Sequence, residues 1–233
     1  MKTKDIFIIS IALVICALIL GIFFYAGRRA EKTIKVTGYA SKSFESDIVK
    51  WTLTVASQSS LNDVASGYLN LKRQVIRLLE ELSKKGIEPK GATVQPPSLS
   101  SIWEGDRQIG YTIRQSLFII SKDVNRVESL ASNPDFIYEK GIVLENSYLE
   151  YNYTKIDELK KELLAAATKD AINRAQEIAR SAGAQIGKIT SARQGVFQIT
   201  EPYSTEVSDY GIYSTATKNK DIRVTVTVTF AVK

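Results

Sequence analysis

Apolar residues along the chain fall into three patterns: an unbroken run, stripes spaced by threes and fours, and alternation. The unbroken run is 6–27, which holds no charged residue. As a helix rising ~1.5 Å per residue it reaches the ~30 Å of a hydrocarbon core, so the pattern predicts a transmembrane signal anchor. Stripes at helical spacing predict two long helices. One covers 61–85, with Leu61, Val64/Ala65, Tyr68, Leu71, Val75, Leu78 and Leu82 inward and Ser60 or Asn62 as its cap. The other occupies 156–187, with Leu159, Leu163, Ala166/Ala167, Ala171, Ala175, Ile178 and Ala182 inward. Alanine in the middle of that second stripe implies close approach to a broad neighbour, a sheet or another helix. A shorter stripe at 122–132 predicts a short helix with Asp123 near its start.

Alternation marks the strands. It runs through 33–39 and 48–57 with a polar turn between them, and is cleanest at 221–233, where Ile222, Val224, Val226, Val228, Phe230 and Val232 alternate with Arg223 and threonines. A short extended piece at 90–95 precedes a hairpin of 98–103 and 108–121 about Glu104-Gly105-Asp106. Further strands are expected at 142–151 and 188–199, and 200–220 has no sustained period. The predicted fold class is α+β: a mostly antiparallel β-sheet with two long helices and one short helix packed on it, preceded by the N-terminal transmembrane helix. The expected organisation is a tail at 1–5, the anchor at 6–27, a linker at 28–32 and one domain at 33–233.

Charge changes the picture by its location. The net charge is +6. Lys2, Lys4, Arg28, Arg29, Lys32 and Lys35 against Asp5 and Glu31 leave +4 of that in residues 1–35, so the body is nearly neutral. No stripe of cations interleaved with aromatics occurs, and nucleic-acid binding is not expected. A cleaved signal peptide is the alternative to the anchor, but Phe24 or Tyr25 at −3 is too bulky for a cleavage site. A short N-terminus inside and a folded body outside predict a single-pass protein of the cell membrane, with the body on the extracytoplasmic (periplasmic or outer) side.

Candidate chemistry is sparse. There is no histidine, and Cys16, the single cysteine, lies within the apolar run, which removes disulfides within the chain and metal sites built on histidine or cysteine. No cofactor is expected. Ser41-Lys42-Ser43 and Thr215 with Lys218 are formal hydroxyl–lysine pairs, and Glu80/Glu81 and Asp157/Glu158/Glu162 formal carboxylate clusters. All read as polar turns or solvated helix faces. The candidate interaction residues are Tyr203, Tyr210 and Tyr213, aromatic side chains in a polar stretch.

Four segments in order resemble the SIMPL-domain family of bacterial periplasmic and surface proteins: IKVTGYASKSFESDIVKWTLTV, LKRQVIRLLEELSKKGIEPKGATV, GYTIRQSLFIISKDVNRVESL and AAATKDAINRAQEIARSAGAQIGKI. Ser46-Asp47 stands where the family often has Pro-Asp, and Ala40 where a second glycine is common. The resemblance implies an extracytoplasmic domain that tends to self-associate, with no established catalytic residues, some members being linked to envelope or oxidative stress. The expected function is therefore a membrane-anchored, non-enzymatic envelope protein that self-associates as a homo-oligomer or binds an envelope partner. Its alternatives are an envelope ligand sensor and a carboxylate-dependent envelope hydrolase.

Overall fold

Alternation and stripe spacing are realised in a computed structural model that describes residues 3–27, 32–88 and 91–233. The described chain runs α1 (Thr3–Gly27), β1 (Thr33–Glu45), β2 (Ile48–Ser60), α2 (Val64–Lys84), β3 (Ala92–Val94), β4 (Ser98–Glu104), β5 (Arg107–Ser121), α3 (Val124–Ser132) and α4 (Asp135–Tyr138). It continues through β6 (Leu144–Asn152), α5 (Ile156–Ser181), β7 (Ile186–Gln194), β8 (Gln198–Thr200), β9 (Ile212–Tyr213) and β10 (Asn219–Val232). The class is α+β, as expected, but the strands form two five-stranded sheets rather than one. One has the order β1-β10-β8-β9 with β7 also on β10; the other has β3-β5-β2-β6 with β4 also on β5. The assigned strand pairs are antiparallel except the short β8–β9 pair.

Several boundaries differ from the sequence expectation. The polar segment after residue 39 is not a turn: β1 continues to Glu45, and the reversal is confined to Ser46 and Asp47. Exposed strand residues carry no apolar period, so the extension leaves no signal. The strand expected at 188–199 is two strands, interrupted at Gly195, whose N–H donates to the Thr225 carbonyl at 2.9 Å and where a Cβ would meet Thr225 Oγ1 at 2.5 Å. Asp63, not Ser60 or Asn62, caps α2, its carboxylate accepting from Ser66 N at 3.2 Å. Helix α4 has no counterpart in the sequence expectation, because four residues after Pro134 are too few to show a period.

Helix α1 occupies the position of the expected anchor. Among the described residues no helix is long and apolar enough to cross a membrane; the described side chains of α1 run only from 11 to 24, and all are exposed. The expected linker at 28–32 lies, apart from Lys32, outside the described residues, as do the first two residues of the expected tail.

The chain forms two compact units, to each of which β1, α5 and β10 contribute residues. The larger comprises 40–166 and 195–225. Its core is a cluster in which Val49, Trp51, Leu53 and Val55 of β2 meet Leu117 and Ile119 of β5 and the Leu71, Val75, Leu78 and Leu82 stripe of α2. The indole Nε1 of Trp51 donates to Ser147 Oγ at 2.9 Å, so its one polar group is satisfied. The first half of α2 departs from the predicted stripe: Leu61 precedes the helix and is exposed, Tyr68 is exposed, and Gly67 and Gln74 face inward. Buried Gln74 is satisfied by backbone, donating to Ala56 O at 3.4 Å and accepting from Val143 N at 2.7 Å.

The smaller unit comprises residues to 39, 167–194 and 226–233. Here Ala167, Ala171, Ala175 and Ala179 are buried in one row. The expected Ile178 and Ala182 are exposed instead, because the row keeps to steps of four rather than alternating threes and fours. Under it lies Gly38, where a Cβ would meet Ala167 O at 2.1 Å and Ala171 N at 2.5 Å. On the outer face Asp170 pairs with Arg174 at 2.7 Å and Glu177 with Arg180 at 2.9 Å.

Candidate functional site

Between β8 and β9 the chain makes a loop that buries little of its own apolar surface. Tyr203 is 96% exposed, Val207 74% and Tyr210 98%. Such exposure normally accompanies a slack segment, yet this backbone is tied down. Gln198 of β8 holds Ser208 from both sides, donating to its carbonyl at 2.7 Å and accepting from its N–H at 3.4 Å. The Arg223 guanidinium of β10 donates to the carbonyls of Ser204, at 3.0 Å, and Glu206. Ser214 N donates to Ile199 O at 2.9 Å and closes the loop.

Tyr203 stands out in its backbone. Its φ is +62°, and it is the sole described non-glycine residue with positive φ. That conformation costs an L-residue of order 1 kcal/mol or more and persists only where the surroundings impose it. Here its N–H donates to Asp221 Oδ2 at 3.2 Å, while Asp221 Oδ1 accepts from Ser43 Oγ at 2.6 Å. The strain presents an aromatic ring to solvent instead of burying it.

Tyr213, the third tyrosine expected to make contacts, does not belong with the other two. It lies in β9, is 52% exposed, and has the Lys160 ammonium 5.6 Å from its ring centroid; the same ammonium stands 5.8 Å from the Phe197 ring. Burial, with a smaller contribution from Asp157, raises its phenol above the ordinary value.

Beside the loop lies a cleft of about 480 Å³ lined by Ser43, Phe44, Pro202, Tyr203, Asn219, Lys220 and Asp221. Lys220 is only 2% exposed. Its ammonium donates to the Tyr151 carbonyl, and burial pushes it down to about 8, the opposing charge of Glu201 countering in part. Glu201 accepts from Ser214 Oγ at 2.5 Å; that bond, its backbone and Lys220 hold the carboxyl below its usual range. The Tyr151 hydroxyl donates to Glu128 at 2.8 Å, and burial first, then that carboxylate, pushes the phenol up to about 12. Of these groups only Lys220 lines the cleft, and the amine, the carboxylate and the hydroxyl are each committed to a partner. A carboxylate whose affinity for protons is lowered is also a poor general base.

Sequence reasoning misses Lys220 because it begins the terminal strand at 221. Extending the alternation back from Ile222 puts Lys220 on the buried face, in phase with Val224 and Val226. The formal hydroxyl–lysine pairs resolve as surface contacts: Lys42 pairs with Glu162 at 2.9 Å and Lys218 with Glu45 at 2.6 Å. Glu81 is neutralised by Lys84 at 2.7 Å. Among the described residues no cluster of histidine, cysteine and carboxylates is arranged to hold a metal.

No curated protein matches the chain. A family match covers residues 34–230, the stretch that carries both sheets and the pinned loop, and by it the chain belongs to the SIMPL family, described as a protein of unknown function (DUF541).

Proposed function

We propose that this protein is a non-enzymatic binding module of the cell envelope, anchored by its apolar N-terminal helix, and that its contact surface is the 201–211 loop. The observation that carries the reading is the combination in that loop of a fixed backbone with outward-facing Tyr203, Val207 and Tyr210. A rigid loop loses little conformational freedom on binding, and exposed tyrosines supply large contact area at low entropy cost. Catalytic readings lack such support, since the Lys220 amine, the Glu201 carboxylate and the Tyr151 hydroxyl are all held in structural bonds. The anchoring part rests on α1, whose described side chains from 11 to 24 are exposed and uncharged, a surface that calls for an apolar solvent. In this reading the body lies on the extracytoplasmic side and the contact joins copies of the chain or joins it to an envelope partner.

The test uses the full chain in detergent or nanodiscs. Light scattering over a concentration series, with cross-linking in native membranes, is expected to show association that Y203A/Y210A weakens at least tenfold without lowering the melting temperature. A wild-type chain that stays monomeric throughout and cross-links to nothing refutes the reading. A second reading, an envelope ligand sensor, is favoured by the cleft of about 480 Å³ beside Tyr203. A thermal shift produced by an envelope metabolite and removed by K220M supports it.

A further inference from the structure

The loop is acidic as well as aromatic. Residues 201–217 contain Glu201, Glu206 and Asp209 and no lysine or arginine. The Glu206 and Asp209 side chains are exposed, and neither is in an ion pair among the described residues. Of the cations near the loop among the described residues, Arg223 is directed to backbone carbonyls, Lys160 stands over the Tyr213 ring, and Lys220, which opposes Glu201, is buried.

The outer face of α2 has the opposite character. Leu69, Lys72, Arg73, Ile76 and Arg77 recur at spacings of three and four, form one stripe, and are all exposed. None of the three cations is in an ion pair among the described residues. An ordinary solvated helix face interleaves acids with bases, as the outer face of α5 does with Asp170–Arg174 and Glu177–Arg180. On α2 an unneutralised cationic ridge instead flanks two exposed aliphatic side chains.

We infer that the 201–211 loop of one copy docks on the α2 stripe of a second copy, Tyr203, Val207 and Tyr210 against Leu69 and Ile76 and Glu206 and Asp209 against Lys72, Arg73 and Arg77. The inference rests on the proposed role of the loop and supplies its partner. Guanidinium groups stack on tyrosine rings and bind carboxylates, so the arginines meet both features of the loop. Because loop and stripe are different surfaces, the contact is head-to-tail, and repetition builds a ring or an open filament rather than a two-fold dimer.

Charge reversal tests it in the full chain in detergent. E206K/D209K reverses the loop, and K72E/R73E/R77E reverses the helix. Each variant alone is expected to lose association at least tenfold, as like charges now face each other. An equimolar mixture is expected to regain it, because each reversed loop then meets a reversed helix and each native loop a native helix. Recovery also excludes misfolding, since an unfolded variant cannot be rescued by mixing. The inference is overturned if the mixture stays dissociated or if the helix variant associates like wild type. Loss confined to the loop variant also overturns it and points to a basic surface of the second copy other than the α2 stripe. If the wild type associates and both variants match it, the binding role stands without this partner; a monomeric wild type overturns the inference, and it ends the binding role as well only if the chain also cross-links to nothing in native membranes.

Discussion

The two units exclude water from their helix–sheet contacts by opposite means. In the larger one α2 brings Leu71, Val75, Leu78 and Leu82 down on Trp51, Leu53 and Leu117, so the space between backbones is filled by volume. In the smaller one the second half of α5 presents only alanines, and Gly38 of β1 removes even the Cβ beneath Ala167 and Ala171. There the space is eliminated instead of filled. The lesson is one of opposite sensitivities. A volume-filled contact fails when atoms are removed, because the neighbours relax only in part and leave a cavity. A proximity contact fails when atoms are added, because the first thing an added group meets is backbone.

The largest expected effect is therefore truncation in the larger unit. W51A removes a fully buried indole and leaves Ser147 Oγ without its donor. It is expected to cost about 3–5 kcal/mol in chemical denaturation. A loss below ~1 kcal/mol would mean that the cluster collapses around the gap, and the contrast between the units would disappear.

Next comes addition in the smaller unit. G38A introduces one carbon, at a site where it would lie 2.1 Å from Ala167 O and 2.5 Å from Ala171 N. Both are backbone atoms that no rotamer change can move aside, so the cost is expected at the upper end of the ~1–3 kcal/mol typical of overpacking, or above it. The same glycine-to-alanine change at Gly91, where a Cβ meets nothing within 4 Å, serves as the control. If the two substitutions prove equally mild, α5 rides further from β1 in solution than the structure has it.

How much of this was legible depended on whether a residue's partner lay nearby in sequence. The alternation of Val49, Trp51, Leu53 and Val55 placed them on one face without knowledge of what covers it. The alanine row announced a close neighbour but not that Gly38, far away in the chain, would supply it. Tyr203, Tyr210 and Tyr213 look alike in sequence. The structure separates them because Tyr213 meets Lys160 across the fold, while Tyr203 is turned outward by Asp221. The order of 200–220 was invisible for the same reason: Gln198, Asp221 and Arg223 pin it through side chain-to-backbone bonds that leave no period. Lys220 was the exception, since the alternation of β10 already contained it.

Lys220 is also where the contrast between the units becomes sharpest, for it is a charge set into the interior of the volume-filled one. Burial favours the neutral amine, and its folded-state value of about 8 lies below the ordinary 10.5. Between those limits the unfolded chain binds more protons at this site than the folded chain, so stability rises with pH across the window. Each tenfold difference in proton affinity is worth about 1.4 kcal/mol, so the gain expected from this group between about pH 7 and 9.5 is about 2 kcal/mol. K220M cannot titrate there and should show no such gain, whatever its absolute stability after losing the bond to the Tyr151 carbonyl. Other groups that titrate in alkali, Tyr151 among them, are shared by both proteins and cancel when the two profiles are subtracted. Urea midpoints at the two pH values, wild type against K220M, measure the difference directly. Parallel profiles would show that Lys220 reaches solvent in the folded state, and that the larger unit tolerates a charge at its edge without confining it.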